Sequence, residues 1–112
     1  MTAPPSAPIP DGLARVTLSR TDGADVQQRQ IYARLDEGPS QTLMFGDSIT
    51  LDVPPGEHVL RANNTLFWKR VAFSVAAGQH VQFALINRSG VVGLGLLALL
   101  GVAPLTLSIE RR

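Results

Sequence analysis

The chain has no cysteine, a single tryptophan, a single tyrosine and only two histidines among its 112 residues. Without thiols it has neither a disulfide scaffold nor a zinc-thiolate site. Charge of one sign is also lacking: ten Lys and Arg against nine Asp and Glu leave a net +1. That balance supplies no strong field for a polyanion, so nucleic acid is not expected as a partner. No Gly-x-Ser-x-Gly elbow and no glycine-rich loop followed by Lys is present, which removes the commonest hydrolase and nucleotide-binding signatures. We therefore expect no enzyme and assign no catalytic residue, metal ligand or cofactor. The length is that of one domain.

What is present is strand periodicity. Residues 1–12 carry Pro4, Pro5, Pro8 and Pro10 and read as a flexible, proline-rich arm. No basic segment precedes an apolar stretch there, so no secretory signal is visible and cytoplasmic residence is expected. From residue 13 to 90 apolar residues alternate with polar ones. Val16 and Leu18, then Ile31, Ala33 and Leu35, then Ile49, Leu51 and Val53 each line one face of a strand. A short apolar run over 42–45 and strands over 58–63, 69–75 and 79–86 complete about seven. Asp22-Gly23, Gly38-Pro39, Gly46-Asp47, Pro54-Pro55-Gly56 and Ala77-Gly78 supply the turns. Short strands with turns at this spacing predict a mainly β fold, an antiparallel Ig-like or prealbumin-like sandwich.

The stretch 31–38 reads Ile-Tyr-Ala-Arg-Leu-Asp-Glu-Gly, and 46–62 reads Gly-Asp-Ser-Ile-Thr-Leu-Asp-Val-Pro-Pro-Gly-Glu-His-Val-Leu-Arg-Ala. With Phe-Ser-Val-Ala-Ala-Gly-Gln-His-Val-Gln-Phe at 73–83, these segments resemble PEGA-like and carboxypeptidase-regulatory-like (transthyretin-like) β-sandwich domains. The Pro-Glu-Gly-Ala motif itself is absent; Asp25-Val26-Gln27-Gln28-Arg29 stands in the corresponding stretch. The resemblance implies a non-catalytic accessory or binding module of the kind often attached to larger bacterial proteins.

His58 and His80 open strands after glycine-containing turns and lack a third ligand, so spacer roles are expected for them. Asp22 and Asp25, and Asp36 with Glu37, lie in turns and are expected to cap them, not to bind calcium. Asn63-Asn64-Thr65 and Asn87-Arg88-Ser89 match the glycosylation pattern by chance. Arg15, Arg20, Arg29, Arg34 and Arg70 are expected on solvated faces of mixed charge. The most informative body segment is the candidate binding loop Leu66, Phe67, Trp68, Lys69 and Arg70, where aromatic side chains adjoin two cations. It suits peptide or carbohydrate recognition if Trp68 faces solvent; the alternative folds Trp68 inward as a cap on the core.

The one long hydrophobic run covers 91–109, where 13 of 19 residues are apolar and none is charged. As a single helix it would reach about 28 Å, enough for a bilayer core, which makes a C-terminal membrane anchor one reading. The other divides the run. Leu105, Leu107 and Ile109 alternate with Thr106 and Ser108, predicting a final strand that pairs with a sheet edge, behind a short helix over 92–100 ended by Gly101 and Pro104. The segment 91–112 then packs on the body or on a partner. Its apolar residues Val92, Leu94, Leu96, Leu97, Leu99 and Leu100 exceed what one small domain can bury, so a homo-oligomer or another protein partner is expected.

Overall fold

The computed structural model describes residues 7–27, 29–89 and 105–112. It is mainly β. Eight strands run in chain order: β1 (Ala14–Ser19), β2 (Ile31–Leu35), β3 (Gln41–Leu43), β4 (Ser48–Val53), β5 (Gly56–Asn63), β6 (Trp68–Val75), β7 (His80–Ser89) and β8 (Leu105–Arg111). They form two four-stranded sheets, ordered β4-β1-β7-β8 and β3-β2-β5-β6. Alternation explains the inner face. In β5 His58, Leu60 and Ala62 are buried while Glu57 and Arg61 are exposed, as a half-buried strand requires. One hydrophobic core draws on all eight strands, from Val16, Leu18, Ile31 and Leu43 to Leu60, Leu85 and Leu107. Phe73 of β6 meets Phe83 of β7 edge-on at 4.9 Å, joining the two sheets across that core.

Three expectations change. First, pairing is not antiparallel throughout: β1 runs parallel to β7, from Arg15 opposite His80 to Ser19 opposite Ala84. The chain passes from one sheet to the other after β1, β3, β4 and β6. Residues 20–79 thus form the long crossover that a parallel pair needs. Second, β3 stops at Leu43, leaving Met44 and Phe45 in a turn. The Asp47 carboxylate accepts a hydrogen bond from the Met44 amide at 2.8 Å, and Gly46 takes φ of +97°. Third, β6 begins at Trp68, so Trp68, Lys69 and Arg70 belong to a strand and not to the loop before it.

The end of the chain is part of the body. β8 pairs antiparallel with β7, from Phe83 opposite Arg111 to Ser89 opposite Leu105, and forms the edge of the first sheet. Residues 105–109 therefore do not continue a helix from residue 91. The expected helix over 92–100 lies outside the described residues. Among the described residues no helix is long and apolar enough to cross a membrane. At the other terminus, Arg15 donates to the carbonyls of Ala7 and Pro8, and the Leu13 amide donates to Pro10 at 3.1 Å, so residues 7–13 lie against the first sheet.

Candidate docking surface at one end of the sheets

The strand registers bring several connections to one end of the molecule. β2 starts there, β3 and β5 finish there and β6 starts there, because Ile31 pairs with Leu43, Tyr32 with Asn63, and Asn63 with Trp68. The short β3–β4 connection keeps the start of β4 at this end, and β7 and β8 converge on it at Ser89 and Leu105. All five of the large exposed hydrophobics among the described residues lie at this end. Trp68 is 69% exposed, and Met44, Phe45, Leu66 and Phe67 lie between 38% and 51%. Single exposed apolar residues are ordinary, whereas five gathered at one end of a small domain are not.

Buried polar side chains hold these loops in place. Arg20, 1% exposed, donates to both carboxylate oxygens of Asp25, at 3.0 and 3.2 Å, and to the Leu43 carbonyl at 2.9 Å. Asp25 also accepts from the Gln27 amide at 2.7 Å and the Asn87 amide at 3.2 Å. Burial alone would raise its pKa. The Arg20 hydrogen bonds, the two amides and the Arg20 charge outweigh burial and hold it below the usual carboxylate value. Asn64, fully buried, donates to the Asn87 side chain at 3.0 Å and accepts from the amides of Leu66 and Phe67 at 3.0 and 2.8 Å. Those bonds fix the β5–β6 turn, in which the β-branched Thr65 takes φ of +71°, a conformation that costs of order 1–3 kcal/mol. Arg29 braces it by donating to the Thr65 hydroxyl at 2.8 Å. The apolar tip Leu66-Phe67-Trp68 is thus held outward by a hydrogen-bonded turn.

Behind the tip lies a row of cations. Arg34 pairs with Arg61 across β2 and β5, and Arg61 with Arg70 across β5 and β6. The three lie side by side on the outer face of the second sheet, where like charges opposite one another are unfavourable. Glu37 contacts Arg34 at 3.1 Å and Arg61 at 4.0 Å, while Lys69 and Arg70 make no ion pair among the described residues. Tyr32, Arg34, Arg61, Asn63, Trp68 and Arg70 line a shallow groove of about 410 Å³ on this face.

Of the expected site residues, the structure brings Leu66, Phe67, Trp68, Lys69 and Arg70 together and turns Trp68 outward. Val92, Leu94, Leu96, Leu97, Leu99 and Leu100 lie outside the described residues. Arg15 and Arg20 are each 1% exposed and not on solvated faces, because Asp52, 2.7 Å from Arg15, and Asp25 draw them into ion pairs. Asp22 and Asp25 accept from the amides two residues on, at Ala24 and Gln27, as turn caps do. Sequence reasoning missed Arg61, Tyr32 and the Met44–Phe45 turn. Arg61 and Tyr32 were open to it, since each stands at an outward position in its strand's alternation.

Both histidines are hydrogen-bonded within the fold, and His58 is buried and not the spacer expected. His80 bonds the Thr17 hydroxyl at 2.7 Å. His58 contacts the Asp36 carboxylate at 2.5 Å through Nδ1 and the Pro54 carbonyl at 2.7 Å through Nε2. Two acceptors on one ring call for two N–H donors, hence an imidazolium. Burial pulls the His58 pKa down. The bonds to Asp36 and Pro54, with the Asp36 charge, outweigh it and raise the pKa above its ordinary value. The pair resembles part of a hydrolytic triad, but Nε2, which would face a nucleophile, is occupied by a carbonyl. Among the described residues no group of three or more His, Asp or Glu side chains is placed to hold a metal. No protein-family model, curated protein or solved structure matches the chain.

Proposed function

We propose that this chain is a small, non-enzymatic β-sandwich of the PEGA-like, transthyretin-like kind that works as an accessory interaction module. Its contact surface is the end carrying Met44, Phe45, Leu66, Phe67 and Trp68. The observation that carries the reading is the gathering of every large exposed hydrophobic among the described residues at that one end. The apolar run adds to it. β7 ends and β8 begins at the same end, since Ser89 pairs with Leu105. Val92, Leu94, Leu96, Leu97, Leu99 and Leu100 supply the area through which copies of the chain associate. Carboxylate-bearing peptides or acidic carbohydrates are further ligands suited to the groove between Tyr32 and Trp68, with Arg34, Arg61 and Arg70 as their counter-charges.

The test is light scattering on the full chain and on a variant whose residues 91–104 are replaced by a short Gly-Ser linker. β8 stays in place in that variant, and shortening a connection changes loop entropy little. A discrete oligomer that becomes a monomer with unchanged far-ultraviolet dichroism is the expected result. A full chain that is monomeric at every concentration would remove self-association from the proposal.

A further inference from the structure

The geometry points to a specific partner for the tip of the β5–β6 hairpin: we propose that it docks on a bilayer surface containing anionic lipid. In that pose Leu66, Phe67 and Trp68 sit in the interface, and Lys69, Arg70, Arg61 and Arg34 lie against the headgroups. This rests on the reading of that end as a contact surface and names what the hairpin tip contacts.

Depth is the first argument. Apolar elements that lie in a membrane interface sink about 5–10 Å into the headgroup and acyl boundary. Arg70 stands two residues behind Trp68 on β6, and Arg61 and Arg34 share its row. Two residues of strand cover about 6.8 Å. Insertion of the tip therefore carries the cation row to the level of the lipid phosphates. Trp68, with an apolar body and one N–H, is the side chain that favours the boundary between them.

Charge is the second argument. Three arginines lie in register on the outer face of the second sheet, with Glu37 beside Arg34 and Arg61 and with Glu57 four residues before Arg61 on β5, toward the far end of the strand from the tip. An exposed ion pair contributes little and yields readily to a competing anion. A second copy docking through the same tip in a two-fold arrangement would bring the same cations together, so the tip rejects its own image. A nucleic acid strand would match the cations but leave Leu66 and Phe67 in water. Two other acids at this end do not disturb the pose. Asp22 is paired with Arg112 at 2.5 Å, and Asp47 accepts from the Met44 amide at 2.8 Å.

The experiment uses the full chain with vesicles of phosphatidylcholine alone and of phosphatidylcholine with phosphatidylserine, read by flotation and by the emission of Trp68, the only tryptophan. Flotation with the anionic vesicles, a blue shift of Trp68 and release by salt are expected. Arg70→Ala should lower partitioning about fivefold, and Arg61→Ala with Arg70→Ala about 25-fold. Arg70→Lys should keep most of it, and Leu66→Ser with Phe67→Ser should abolish it. Absence of flotation overturns the proposal. So does flotation without a Trp68 shift, or flotation indifferent to Arg70→Ala. If vesicles fail but light scattering still shows an oligomer that the 91–104 linker dissolves, the interaction reading stands and only the lipid assignment falls. If both fail, both fall.

Discussion

Replacing Arg20 by methionine keeps most of the side-chain volume and removes the cation that Asp25 faces. The Asp25 carboxylate is then left buried with only the Gln27 and Asn87 amides, and the Leu43 carbonyl loses a donor. Removing one partner of a buried ion pair costs about 3–5 kcal/mol. A domain of this size holds about 5–15 kcal/mol in all, so the loss is a large fraction and should lower the melting temperature by roughly 10–20 °C. Urea denaturation followed by far-ultraviolet dichroism is the suitable assay, because the exposed Trp68 is a poor reporter of the core. Arg20→Met combined with Asp25→Asn removes the stranded charge and should recover at least about 1.5 kcal/mol over Arg20→Met alone, a positive coupling of the size that paired buried groups show. The single variant should also be less destabilised in acid, where its Asp25 can protonate. A cost below about 1 kcal/mol, unchanged with pH and additive with Asp25→Asn, would refute the reasoning and reduce the pair to the weight of a surface bridge.

Two pH limbs follow from the same linkage. His58 has a folded pKa above its unfolded value, so its contribution is full below about pH 6.5 and is lost as pH rises through the folded pKa. His58→Gln should flatten that alkaline limb in a denaturation series and cost about 1–3 kcal/mol at pH 6, the range for a hydrogen-bonded charged group. Asp25 and Asp36 have folded pKa values below their unfolded ones. Their contribution is full well above about pH 4 and is lost as pH falls through the folded values. Asp36→Asn should therefore shrink the acid limb, and an unchanged acid limb would count against its bonds to His58 and to the Val59 amide.

Legibility followed the range of the forces involved. β4 was readable because Ile49, Leu51 and Val53 alternate with polar neighbours, and β8 because Leu105, Leu107 and Ile109 do the same inside an apolar run. Alternation reports a buried face, not a neighbour, so nothing local announced that β1 lies parallel to β7. Arg20 reads as a surface residue until the loop after it folds back and sets Asp25 against it. Trp68 was undecided for a related reason. Its exposure depends on Asn64, whose side chain reaches Asn87, 23 residues away, and holds the turn amides of Leu66 and Phe67. Arg34, Arg61 and Arg70 alternate with other residues on three different strands, and only the register shows them as one row.

The most direct measurement of the account is the emission and acrylamide quenching of Trp68 in the dilute, full-length chain. A ring that is 69% exposed at the tip of the apolar end should emit at long wavelength and quench nearly as readily as free tryptophan. A blue emission protected from quencher in the monomeric chain would put that ring against the core. It would also remove the largest side chain from the surface on which docking depends.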